Sequence, residues 1–252
     1  MLLIIFGAIG FPVLIEVKDF LFNKNRSFQR FSLFTKLTTI TFFILIVAGA
    51  VLIYALDARH FFAGKSWHEI LFYALFQSVT TRSAGLETMD VSQLTEPNHL
   101  VMSFLMFIGA SPSSAGGGVR TTTFALVFIF IITYARGGHS IRLFRREVHE
   151  EDLFKAVVVM LLAIMVVYIS TITITAIESL PVTSVFFEVI SAFGTVGLSL
   201  GITSKLGVVS KIILMILMFI GRVGIITALL MFKRKKANRA NYHYPKERII
   251  IG

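Results

Sequence analysis

Residues 191–200 read SAFGTVGLSL, a glycine-bearing turn set between an apolar run at 182–192 and a longer one at 208–232. The first run is too short to cross a bilayer, which takes about 20 residues. A short helix that enters the hydrocarbon and stops must turn back. Irregular backbone at that depth survives only where protein buries it or water reaches it. Gly194, Gly197 and Gly201 supply conformations that a Cβ would resist. Residues 182–201 therefore read as a re-entrant helix and loop beside an aqueous path.

A path through a membrane needs a membrane protein around it, and the composition agrees. Hydrophobic residues fill 56% of the 252 positions and charged residues 15%, against about 25% charged in ordinary soluble domains. The first apolar segment has no basic leader and no small-residue cleavage site, so it reads as a mature helix rather than a signal peptide. The lack of cysteine excludes disulfides, thiolate metal sites and a cysteine nucleophile. A net charge of +10 would suggest nucleic acid in a soluble domain, but here the basic residues lie between apolar segments. Lys18, Lys24, Arg26, Arg30 and Lys36 form one cluster; Arg136, Arg142, Arg145, Arg146 and Lys155 a second; Lys233, Arg234, Lys235, Lys236, Arg239, Lys246 and Arg248 a third. Such connections stay on the cytoplasmic side. All three clusters are therefore expected in the cytoplasm, with no nucleic-acid partner.

Between clusters the chain must go out and come back. Residues 33–56 and 100–134 form one such pair, residues 153–177 and 208–232 another, and residues 1–17 one more span ending in the cytoplasm. Each pair encloses a short apolar stretch, 67–79 in the first and 182–192 in the second. The motif LMFIG occurs at 105–109 and again at 217–221, and the same shift of 112 carries Gly85-Leu86 onto Gly197-Leu198. LFTK at 33–36 and LFKA at 153–156 mark the outer helix starts less closely. A repeated unit of outer helix, pore helix, turn and inner helix follows. Gly7-Ala8-Ile9-Gly10 resembles Gly221-Arg222-Val223-Gly224, so the N-terminal segment reads as the inner helix of a preceding unit. The chain is thus expected to begin part-way through a longer protein. The fold expected is all-α and polytopic, with residues 1–30 as inner helix and connection, 31–150 as one pore repeat, and 151–252 as the next with a basic tail.

A short helix leading into Thr195-Val196-Gly197 is the architecture of a potassium selectivity filter, where backbone carbonyls replace the ion's hydration shell. The tripeptide alone is a weak signal. Its place after a pore helix, repeated at a fixed offset in TTRSAGLET (residues 80–88), makes it a strong one. From Gly7-Ala8-Ile9-Gly10-Phe11-Pro12 to the C-terminal YHYPKERIIIG, the whole chain resembles the Ktr/Trk/HKT potassium transporter superfamily, most closely the C-terminal part of the Ktr-type membrane subunit. The resemblance implies four linked units around a pseudo-fourfold pore, each with one filter glycine. Gly85 would be the third of these and Gly197 the fourth. The filter positions implied are Ser83, Ala84 and Gly85 in one loop and Gly194, Thr195, Val196 and Gly197 in the other. Potassium held by their carbonyls would be the only metal, with no organic cofactor. The resemblance further implies a multi-pass cell-membrane protein that works as a homodimer on a ring of cytoplasmic nucleotide-binding regulatory subunits, with sodium as an activator.

GASPSSAGGGVRTTTF at 109–124 interrupts the inner helix of the first pair. A phosphate-binding loop would place a lysine after its last glycine and follow a soluble strand; neither holds. Glycine and serine permit irregular backbone, and the resemblance puts a gating loop here, at residues 109–119, with Gly109, Ser113, Ser114, Gly116, Gly117 and Gly118 as gate positions. Arg222 lies roughly 16 Å along a helix from the basic tail, too deep to reach water by snorkelling, and an arginine at that depth faces a cavity or a partner. It is expected to contact the gating loop and hold it shut. Arg82, just before the first filter turn, is expected to brace that turn, with Glu188 and Glu87 as candidate partners and a solvated side chain pointing away from the axis as the equal alternative. The six histidines show no metal-ligand spacing, and no nucleophile, base and acid arrangement is recognisable, so no enzyme is expected. Two rival readings are a secondary transporter of another monovalent cation such as sodium and a non-conducting truncated scaffold. The like orientation of the two repeats and their re-entrant loops favour the pore.

Overall fold

The computed structural model describes residues 1–22, 31–138, 140–144, 146–225 and 227. The basic connection at 23–30, Arg145 and the basic tail from residue 233 onward lie outside the described residues. Nine α-helices run through the described part: α1 (Leu2–Ile9), α2 (Phe11–Phe22), α3 (Leu33–Asp57), α4 (Trp67–Thr80), α5 (Glu96–Phe107), α6 (Thr121–Ala135), α7 (Glu150–Glu178), α8 (Val182–Gly194) and α9 (Val208–Val223). A two-residue antiparallel ribbon pairs Arg142 with Glu147 and Leu143 with Arg146.

The helix ends follow from local chemistry. Ser32 Oγ accepts from Thr35 N at 3.1 Å to start α3. A capping box starts α4, with Glu69 returning to accept from Ser66 N at 3.0 Å; such a cap is worth about 1 kcal/mol. Three acidic residues, Glu150, Glu151 and Asp152, open α7, where the helix dipole favours negative charge.

Among the described residues, α3 and α7 are long and apolar enough to span a bilayer, with mean hydropathy 2.5 and 2.7 in their most apolar windows. Only 33% and 28% of those windows is buried, so most of each apolar surface faces outward, toward lipid. Helix association in that setting relies on close packing rather than on expulsion of water. Small residues provide it: Ser78 Oγ on α4 donates to Ile46 O on α3 at 2.7 Å, and a Cβ on Gly49 would meet that same hydroxyl at 2.6 Å.

The two short helices α4 and α8 bury their C-terminal halves. Helix α8 packs against α5, α7 and α9, burying Phe187, Ile190 and Phe193 among Met102, Met106, Val167 and Leu217. Helix α4 leans on α3, and a second apolar cluster joins Ala8, Ile9 and Val13 of the N-terminal helices to Phe42, Ile46, Val79 and Ala110.

Three expected spans are interrupted among the described residues. Residues 1–17, read as one span, form two helices broken at Gly10 (φ 94°, ψ 141°). The last helix breaks at Gly224 with nearly the same dihedrals (φ 92°, ψ 138°). The likeness of GAIG to GRVG thus extends to the backbone. The return span at 100–134 is α5 and α6, separated by the irregular residues 108–120.

Candidate ion filter and gate

In the first filter loop, Thr80 at the end of α4 gathers the turn. Its carbonyl accepts from Ala84 N at 3.1 Å and Gly85 N at 3.3 Å. Its hydroxyl accepts from Leu86 N and donates to Leu86 O, both at 2.8 Å. Ser83 and Ala84 are thereby held half-buried in a closed turn. The turn ends at Gly85 in the left-handed region (φ 62°). A Cβ there would overlap the Val196 carbonyl oxygen and lie 3.1 Å from Gly197 Cα. The two candidate filter loops therefore converge on one point, and each approaches by its glycine.

The second loop is tied to its pore helix by Val196 N donating to Ser191 O at 3.0 Å and Gly197 N to Ser191 Oγ at 3.2 Å. Gly197 takes φ 102° in open space, so conformation rather than crowding selects glycine there. Thr195 is left-handed without being glycine (φ 52°), a cost of about 1–3 kcal/mol that the surroundings must sustain. Glu188, one of the few buried carboxylates, accepts from Leu200 N at 3.2 Å, from Thr203 Oγ1 at 3.0 Å and from Ser199 Oγ. It anchors the outer limb of the loop. A cavity of about 300 Å³ runs along this loop, lined by Glu188, Ser191, Thr195, Gly197 and Ser199 among others.

The interrupting segment is pinched at its neck by a bridge between Ile108 and Val119, with Val119 N donating to Phe107 O at 3.1 Å. Its glycines lie against both candidate filter loops. A Cβ on Gly116 would meet Ser83 Cβ at 2.9 Å, and one on Gly117 would meet Thr195 Oγ1 at 2.6 Å. A Cβ on Gly118 would come within 3.3 Å of Gly194 Cα, and one on Gly109 would overlap Gly117 O. Both inner-helix breaks clasp the segment through backbone bonds. Ser111 N donates to Ala8 O at 3.0 Å, Ala115 N to Gly7 O at 3.1 Å, Phe11 N to Ser113 O at 3.2 Å, and Gly118 N to Gly221 O at 3.2 Å. Ser113, at φ 59°, forms the left-handed corner nearest Phe11.

The comparisons with known proteins bear on this arrangement. The family model described as "TrkH: Cation transport protein" matches residues 1–244. This chain belongs to the TrkH cation transport protein family. It is 58% identical over 252 residues to Ktr system potassium uptake protein D of Bacillus subtilis, covering 100% of this chain and 56% of that protein. It is 34% identical over 254 residues to Ktr system potassium uptake protein B of the same organism, covering 99% and 55%. The chain thus spans about half the length of the curated relatives it matches. The crystal structure of the potassium transporter TrkH from Vibrio parahaemolyticus matches the fold with TM-score 0.70 at 17% identity, covering 91% of this chain and 50% of that one. The chain is an all-α, multi-pass membrane protein of a transporter family.

Two expected contacts of this TrkH-family chain differ in the structure. Arg222 makes no hydrogen bond to the gating segment among the described residues, and its side chain is exposed. Helix α9 stays regular through Val223, so Arg222 is turned about 100° from the face that Gly221 presents to the segment. The guanidinium on the segment is Arg120, whose Nη1 donates to Gly116 O at 2.6 Å and Ser111 O at 3.3 Å. The reasoning applied to Arg222, that an arginine at membrane depth needs a partner, finds Arg120 as well. Arg82 pairs with neither expected carboxylate. Glu188 is turned to the amide and hydroxyls of its own loop, and Glu87 lies exposed beyond the turn.

Proposed function

We propose that this chain supplies two filter loops and the gate of a pathway for potassium, which moves down its electrochemical gradient. The observation that carries this reading is the convergence of Gly85 on the Val196 carbonyl, with the glycines of residues 109–119 directly beneath both loops. An ion there would shed water onto the carbonyls of Ser83, Ala84 and Gly85 and of Gly194, Thr195, Val196 and Gly197. Such sites bind well enough to admit an ion and weakly enough to release it. On the cytoplasmic side, assigned by the basic connections, the segment Gly109–Ser113–Ser114–Gly116–Gly117–Gly118 closes the path. Its several backbone bonds are each worth about 1 kcal/mol, so a modest force on either clasping helix suffices to move it. Arg222 takes part by its charge, adding to that of Arg120 on the inner side of the gate, rather than by a bond.

The names of the Bacillus subtilis relatives, Ktr system potassium uptake proteins D and B, support potassium as the ion. We extend the reading to a homodimer whose cytoplasmic face docks on nucleotide-binding regulatory subunits, with sodium as activator and no catalytic chemistry. The test is rubidium uptake by cells deficient in potassium uptake, with this chain exchanged for the matching segment of the B. subtilis protein D. Uptake that potassium competes for, and that Gly197→Ser weakens, is the expected result. A folded, inserted exchange protein that takes up no rubidium contradicts the reading.

A further inference from the structure

Arg82 is fully buried, yet all three of its guanidinium nitrogens lack a hydrogen-bond partner among the described residues. The ion pairs found among those residues lie elsewhere, at Arg142 with Glu147 and at Lys155 with Glu151 and Asp152. What Arg82 does have is the ring of Phe42 on α3, 5.4 Å from the guanidinium carbon to the ring centroid. This is the difference that matters. A carboxylate would cancel the charge, whereas an aromatic face attracts a cation through its quadrupole and carries no net charge. The guanidinium is thus held in place with its field intact.

That field reaches the filter. Arg82 stands three residues before Gly85, so their Cα atoms are at most about 11 Å apart, and the bonds from Ala84 N and Gly85 N to Thr80 O tighten the turn further. A unit charge roughly 12 to 18 Å from a bound cation, the longer figure allowing for the reach of the arginine side chain, alters its affinity about five- to tenfold at an effective dielectric near 20. Burial leaves little salt to screen it.

We propose that Arg82 is an affinity-setting residue: a fixed, uncompensated positive charge beside the filter that keeps potassium loosely held, so that ions leave as readily as they enter. The inference rests on the potassium-pathway reading and concerns rate and affinity rather than bracing. The test measures KM and maximal rate of rubidium uptake in the full-length exchange protein for Arg82→Met, Arg82→Lys and Phe42→Glu, with membrane insertion verified for each. Arg82→Met is expected to lower KM about five- to tenfold with a reduced maximal rate, and Arg82→Lys to stay near the parent. Phe42→Glu sets a carboxylate against the guanidinium and leaves it in place, so it is expected to lower KM as Arg82→Met does, and it decides the matter if Arg82→Met does not insert. An unchanged KM in inserted Arg82→Met or Phe42→Glu overturns the inference while leaving the pathway standing. So does equal loss of rate in Met and Lys variants at unchanged KM, the mark of a brace. No saturable uptake by the parent removes the pathway reading itself, and this inference with it.

Discussion

At the level of single residues, the proposed gate is a matter of which atoms can come close. Gly117 faces Thr195 and Gly221 at distances that leave no room for a methyl group, 2.6 Å to Thr195 Oγ1 and 3.0 Å to Gly221 O from an added Cβ. Gly117→Ala is therefore expected to push the segment off the filter and raise basal rubidium uptake several-fold at unchanged membrane content. Arg120 ties the two limbs of the segment together at Ser111 and Gly116. A half-buried charged donor of this kind is worth about 1–2 kcal/mol after solvent screening, so Arg120→Gln should raise basal uptake by roughly tenfold. Arg222→Ala, which removes no bond to the segment, should change it less; a larger effect from Arg222 than from Arg120 would reverse this assignment. Glu188→Ala leaves Leu200 N, Ser199 and Thr203 without their acceptor. Its expected cost is about 2–3 kcal/mol, read as a lower thermal midpoint together with weaker discrimination between potassium and sodium.

The same forces, summed over elements, explain why some helices were plain in the sequence and others were not. Apolar runs of spanning length marked α3 to within one residue and α7 to within three, its acidic first turn lying outside the run, because in lipid the length of the run sets the length of the helix. The short helices α4 and α8 were legible as runs too short to span, and the shift of 112 that aligns Gly85 with Gly197 also carries the start of α5 at Glu96 onto the start of α9 at Val208. The break between α1 and α2 was hidden, since Gly7-Ala8-Ile9-Gly10 interrupts no apolar pattern. Only the partner that uses the freed backbone, the segment at Ser111, Ser113 and Ala115, shows why the helix stops. Gly10→Ala tests that coupling: its φ of 94° and the Pro112 carbonyl 2.6 Å from an added Cβ both oppose it. A cost of about 1–3 kcal/mol is expected, with looser closure of the gate seen as higher basal uptake. Uptake equal to the parent at full stability would show that the N-terminal helices do not hold the segment.

For the molecule as a whole, the two glycine-bearing turns were legible because glycine positions are displayed in a sequence, while the side-chain partners were not. The expected pairing of Arg82 with Glu188 or Glu87 failed because nearness in the chain says nothing about which way a side chain turns. Arg120 went unremarked because its partners are carbonyls, which every residue possesses. What the structure adds is convergence, the turns at Gly85 and Gly197 meeting at one point against the segment at 109–119. Loops that share an ion must respond to substitution together, whereas loops lining separate paths respond independently. The measurement that tests this most directly is potassium-against-sodium competition for rubidium uptake in Gly85→Ser, Gly197→Ser and the double variant of the exchange protein. Each single change should relax the preference for potassium, and the double change should fall well short of the product of the two. Independent effects that multiply, or a preference untouched by either substitution, would contradict a single shared filter.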